Sequence, residues 1–194
     1  MRRRDILGGA TAAGAMAALP LRAQDTQSVT APDGLVAEPP VIVQTRPGFA
    51  PAGEIHVDPN YFSLYWTLEG DRAIRYKVGI GRPGLYEAGE FFIGAKKEWP
   101  SWTPTDDMIE RNPELYAKWA DGMPGGPENP LGARALYLFT EEKGDTFLRI
   151  HGTNAPGTIG QSVSNGCARL VNPQAIDLYN RVPIGARCVL YDRA

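Results

Sequence analysis

Alternation of apolar and charged positions is the clearest pattern in the chain. Across 73–79, Ile74, Tyr76 and Val78 interleave with Arg75 and Lys77, the period of two expected of a strand with one buried face. Stretches 54–57 and 62–67 precede it, the second joined to it across Glu69-Gly70-Asp71. Another strand is expected at 90–94, after a run of glycines that enforces turns. A second alternating pair, 135–140 and 146–150, reads as a hairpin over Glu142-Lys143-Gly144-Asp145 and delivers His151 at its end. Helical spacing is scarce. Asn172-Pro173 opens one helix in which Ile176, Tyr179 and Val182 would face the core, ahead of a last strand near 186–191. The pattern predicts a mainly β domain with short helices.

Two segments break this rhythm. Residues 95–132 hold Trp99, Trp102 and Trp119 among many prolines and glycines. Thr105 before Asp106-Asp107, and Asn112 before Pro113, have the chemistry of two short helix starts. A loop of this length reads either as a lid or groove wall, or as a surface insertion packed by its own tryptophans. Residues 24–52 are rich in Pro, Ala and polar side chains and read as a flexible linker, with Val41-Ile42-Val43 as the one apolar cluster able to form a short strand. The folded domain is expected over 53–192.

The first 23 residues follow other rules. Arg2-Arg3-Arg4 is a basic start, 6–21 is a short apolar run rich in Ala and Gly, and Leu21-Arg22-Ala23 ends on a small residue. This is the layout of a cleaved export signal. The paired arginines resemble a twin-arginine signal, with a general secretory signal as the alternative. Export to the periplasm or cell envelope is therefore expected. The net charge of the chain is −2, and removing four arginines and one aspartate with the leader leaves −5. Such a surface gives no support for nucleic-acid binding.

The chain has two histidines and two cysteines, and one of each lies in a single polar, glycine-rich stretch. It begins His151-Gly152-Thr153-Asn154 and ends Ser164-Asn165-Gly166-Cys167-Ala168-Arg169. A free thiol has a pKa of about 8.5 and needs a group to accept its proton, and an imidazole of pKa about 6.5 suits that task. Cys167 is thus the candidate nucleophile and His151 its base. The Gly152 carbonyl can hold the second ring nitrogen. The turn Asn165-Gly166-Cys167 offers backbone N–H groups for an oxyanion hole, and Ser164 can hydrogen-bond either the turn or the imidazole. Cys188, in an apolar final strand, reads as a buried free thiol rather than a disulfide partner. His56 reads as structural. With so few ligands, neither a metal site nor another cofactor is expected.

These residues resemble the signature of the L,D-transpeptidase family, the YkuD-type catalytic domain: a histidine followed by Gly-Thr, then Ser-His/Asn-Gly-Cys and an Arg or Asn. The resemblance extends to Val78-Gly79-Ile80-Gly81-Arg82-Pro83-Gly84, to Trp99–Pro104 and to Asn129–Tyr137. It implies a β-sandwich or barrel-like fold and a cysteine thioester formed on peptidoglycan stem peptides. The thioester would pass to a neighbouring stem amine or to an envelope protein; hydrolysis by an L,D-carboxypeptidase or amidase is the alternative outcome. Carbapenems would be covalent inhibitors. Arg169 would either anchor a substrate carboxylate or carbonyl, or brace the cysteine turn, while Tyr137 and Trp102 would line the groove or belong to the core. Asn165 stands where many members have a second histidine, which leaves His151 as the sole base. Tyr86-Glu87-Ala88-Gly89 departs from the family's Thr-Pro-x-Gly, a change that bears on substrate contacts.

Overall fold

The computed structural model describes residues 39–194; the expected export signal and most of the expected linker lie outside them. Among the described residues there are eleven strands and three α-helices. The strands are β1 (Val41–Gln44), β2 (Ile55–Asp58), β3 (Ser63–Leu68), β4 (Arg72–Lys77), β5 (Ile80–Gly81), β6 (Gly89–Glu98), β7 (Arg134–Thr140), β8 (Gly144–His151), β9 (Ser162–Ser164), β10 (Ala168–Arg169) and β11 (Arg187–Leu190). The helices are α1 (Asp106–Arg111), α2 (Pro113–Tyr116) and α3 (Asn172–Arg181). Nine strands form one sheet in the order β1-β4-β3-β2-β11-β6-β7-β8-β10, and β5 pairs with β9 in a small second sheet. The architecture is mainly β with short helices, as the alternation predicts.

In β4, Ile74 and Tyr76 turn into the core while Arg75 and Lys77 face solvent. The short apolar cluster 41–43 does form a strand, antiparallel to β4. The expected 90–94 strand continues to Glu98, because Gly94 does not end it. Instead a β-bulge between Ile93 and Ala95 admits the Phe139 ring, which would lie 2.3 Å from a Cβ at position 94. Thr105 and Asn112 cap α1 and α2, accepting from the N–H of Met108 and Leu115 at 3.3 Å each.

Helix α3 departs from the expected face. Ala175 and Leu178, with Val182 just beyond the helix, are buried against the sheet, whereas Ile176 and Tyr179 are only partly covered. The helix lies across β7 and β8, one position out of phase with the reading from sequence. Tyr179 sits beneath the Lys96 ammonium, 4.2 Å from its ring centroid. The same ammonium donates to the carbonyls of Tyr179 and Val182, at 2.5 and 2.6 Å, and so caps the helix C-terminus. Helix and sheet enclose one core that includes Ile55, Leu64, Tyr76, Leu138, Ile150, Leu178 and Cys188.

Candidate functional site

The site is built by strand register. β10 runs parallel to β8, with Ala168 beside Ile150 and Arg169 beside His151. Ile150 and Ala168 point into the core. Side chains alternate along a strand, so His151 and Arg149 share the opposite face with Arg169, and Cys167 enters that face two positions earlier. Tyr137 of β7 lies opposite Arg149. Its ring carries the Arg149 guanidinium 4.0 Å from the centroid, and Asp145 grips the same guanidinium through two bonds of 2.7 and 2.9 Å. Arg149 and Asp145 were not singled out from sequence; the i, i+4 spacing of opposite charges on β8 was their only signal.

His151 is buried, with 5% exposure. Its Nδ1 lies 2.6 Å from the Gly152 carbonyl oxygen. A carbonyl only accepts, so Nδ1 carries the proton and Nε2 keeps its lone pair. Burial pushes the imidazole pKa down to about 4; the Gly152 carbonyl and, more weakly, the Leu131 backbone resist this, and the Arg169 and Arg149 charges add to it. At neutral pH the imidazole is uncharged. Burial raises the Cys167 thiol, while the Arg149 backbone and the Arg149 and Arg169 charges pull it down. The resting pair is a neutral thiol and a neutral imidazole, and among the described residues no hydrogen bond joins them.

The cysteine turn is braced from several sides. Gly166 has φ +116°, and a Cβ there would come within 2.9 Å of the Leu85 carbonyl oxygen, so a side chain is excluded by both conformation and space. Ser164 Oγ donates to the Cys167 carbonyl at 2.6 Å, so it supports the turn rather than the imidazole. Asn165 is held at both ends of its amide: Arg82 Nη2 donates to Oδ1 at 2.9 Å, and Nδ2 donates to the Tyr116 hydroxyl at 3.1 Å. Tyr116 belongs to α2 and packs edge-on against Trp102, with centroids 6.0 Å apart. The excursion thus touches the cysteine turn through Tyr116, against which Trp102 packs. Tyr137 lies beneath Arg149 and supports its guanidinium.

Arg169 is the electrostatic anomaly. Its Nε and Nη2 are buried without a hydrogen-bond partner. Its backbone exchanges two bonds with Gly79, of 2.9 and 2.8 Å, and its Nη2 would lie 3.3 Å from a Cβ at Gly79. Burial lowers its pKa, and the one group pulling it back up is Cys167. A buried cation without a counter-ion is costly unless an anion joins it. The two thiols are free; Cys188 lies fully buried in the core, where burial raises its pKa strongly. His56 is also buried, with Nδ1 2.9 Å from the Tyr191 hydroxyl and Nε2 3.2 Å from Glu54.

Comparison with known proteins places this geometry. The family model of the L,D-transpeptidase catalytic domain (YkuD) matches residues 52–190. A putative L,D-transpeptidase of Fuscovulum blasticum is 34% identical over 186 residues, covering 93% of this chain and 92% of that protein. Other curated relatives are longer, and the chain spans about two fifths of their length. Among solved structures, a Brucella melitensis protein named a probable carnitine operon oxidoreductase is 48% identical, with a TM-score of 0.53 over 76% of this chain and 89% of that one. L,D-transpeptidase 3 from Mycobacterium tuberculosis, with a faropenem-derived adduct, shares the fold at 18% identity and a TM-score of 0.54, covering 73% of this chain and 61% of that one.

Proposed function

The chain belongs to the L,D-transpeptidase family, and from that premise we propose that it transfers acyl groups of peptidoglycan stem peptides through a thioester on Cys167. The observation that carries this reading is the pairing of β8 with β10, which sets an unpaired Arg169 beside His151 and brings in Cys167 immediately before β10. The Cys167 Sγ attacks the carbonyl at the L-centre of diaminopimelate, and the thiol proton passes to His151 Nε2. The S–C bond forms and the C–N bond to the terminal D-alanine breaks. His151 returns the proton to the departing amine.

An acceptor amine, from a neighbouring stem or a lysine of an envelope protein, then displaces the sulfur. Its proton moves through His151 to the thiolate. The Arg149 and Arg169 charges favour the thiolate, and their depression of the imidazole keeps His151 ready to accept a proton. Backbone N–H groups of the Asn165-Gly166-Cys167 turn stabilise the tetrahedral oxyanion, a contribution of about 3 kcal/mol per donor. Arg169 receives a substrate carboxylate, which supplies the missing anion. Residues 1–23 direct export, so that the enzyme meets its substrate in the periplasm. A faropenem-derived adduct on a protein of the same fold supports β-lactams, carbapenems included, as covalent inhibitors.

Purified tetrapeptide muropeptides, incubated with and without an acceptor amine, test the reading. Cross-linked dimers together with released D-alanine are expected. Tripeptides alone would assign the chain to hydrolysis, and unchanged substrate would overturn the proposal.

A further inference from the structure

Asn172 is the first residue of α3, which has Val171 as its N-cap and no side-chain cap. The Asn172 side chain leaves the helix instead. Its Oδ1 accepts from the Ala133 N–H at 2.9 Å and from the Thr153 N–H at 3.1 Å. One oxygen thus ties together the loop before β7 and the loop after β8, on either side of His151. The fit leaves no spare room: a Cβ at Gly152 or at Gly132 would lie 2.2 Å from that oxygen. Gly132 also has φ +62°. Glycine at 152 is therefore required by the Asn172 side chain and by the Ala133 backbone nitrogen, 3.0 Å from the same Cβ position. The peptide so fixed, Gly152–Thr153, is the one whose carbonyl receives the His151 Nδ1 proton at 2.6 Å. The Thr153 N–H on one end of that peptide and the Gly152 carbonyl on the other are held by Asn172 and His151 respectively.

We propose that Asn172 is a positioning residue that sets the tautomer and orientation of His151 by clamping the Gly152–Thr153 peptide. The clamp keeps the proton on Nδ1 and the lone pair of Nε2 toward the thiol. This inference rests on the reading of His151 as the proton carrier, but its central observable does not. The protein has two histidines, so ring-nitrogen NMR of 15N-histidine-labelled enzyme resolves both, with a His56→Gln variant assigning them. In the wild type at neutral pH, His151 shows a protonated Nδ1 and an unprotonated Nε2.

Asn172→Ala removes the acceptor and is expected to give a mixed-tautomer or exchange-broadened His151, and to slow carbapenem acylation of Cys167 by at least about ten-fold, since misplacement of a reacting group by about 1 Å costs up to roughly a hundred-fold. Asn172→Asp keeps an oxygen that accepts both N–H groups. It is expected to restore the single tautomer and acylation to within a few-fold of wild type. Its added negative charge is also expected to move the acid limb of the pH profile upward. Should Asn172→Ala fail to fold, Asn172→Ser, whose shorter side chain cannot span both loops, takes its place in the same two measurements. A folded Ala or Ser variant with wild-type tautomer and acylation within two-fold of wild type overturns the clamp. If the wild type itself is not acylated, the transpeptidase reading fails while the NMR arm still decides the role of Asn172.

Discussion

The nine-stranded sheet contains two parallel strand pairs, β2 with β11 and β8 with β10; the first carries His56, Cys188 and Arg187, and the second carries His151, Arg149 and Arg169, with Cys167 immediately before β10. In the first, Val189 is paired with His56 and Cys188 with Ile55, which sends thiol and imidazole to opposite faces. In the second, Arg169 is paired with His151, and Cys167, two positions before it, falls on the imidazole's own face. One residue of register separates an inert cysteine from a candidate nucleophile. Partners differ as sharply. His56 has both ring nitrogens engaged, by Tyr191 and Glu54, and Arg187 reaches Glu54 and Glu90. His151 has Nδ1 tied to backbone, and Arg169 has buried nitrogens with none. A structural cluster satisfies its polar groups internally, whereas a working site leaves some for the ligand.

The largest expected effect breaks this comparison at its sulfurs. Cys167→Ala should abolish acylation by a carbapenem, read as loss of the mass adduct. Cys188→Ala should retain it, while costing stability through the cavity left in the core. Labelling at Cys188 in the folded wild type would refute the assignment of roles.

Alternation made most strands and the His151–Cys167 pair legible in the sequence, because period-two burial is local and the motif residues are few. Register was not legible. Nothing local says that Arg169 lies beside His151 rather than one residue away, so the contributions of Arg149 and Asp145 stayed hidden. The α3 face was misjudged at Ile176 because helix phase depends on the sheet beneath it, and Leu178 fits that surface. Gly94 looked like a strand end because space for the Phe139 ring is a tertiary fact. The role of Asn172 was not legible, because its side-chain partners, Ala133 and Thr153, are 39 and 19 residues away.

A smaller effect reports on the burial of the two imidazoles. The His151 pKa falls from 6.5 to about 4 on folding, so between those values the unfolded chain binds more protons than the folded one. Stability therefore rises with pH through that window and is lost as pH falls from about 6.5 to 4, by about 3 kcal/mol in all. Urea unfolding at the two ends of the window should show a flatter dependence in His151→Gln than in wild type. His56→Gln should flatten it in the same direction, since burial lowers His56 as well, against the raising effect of Glu54. An unchanged slope in His151→Gln would mean that its imidazole is not held neutral by burial.

The smallest effects on stability sharpen the contrast between the two arginines, and they should differ in size as well as in place. Arg169 is enclosed without a counter-ion, so the folded protein bears the cost of a desolvated charge with nothing returned until an anion arrives. Arg169→Met keeps much of the volume and removes that cost. It should raise folding stability by about 1 kcal/mol and lower kcat/KM on a carboxylate-bearing donor by roughly ten- to a hundred-fold, the worth of a charge-assisted hydrogen bond. Carbapenem acylation should fall less than stem-peptide turnover if the carboxylate on Arg169 belongs to the peptide. Arg187 retains 44% side-chain exposure in its bonds to Glu54 and Glu90, so solvent already screens the pair. Arg187→Met should change stability by no more than about 0.5 kcal/mol and leave turnover alone. A destabilised Arg169→Met with undiminished turnover would show that Arg169 braces the cysteine turn after all, and would move it from the substrate to the scaffold.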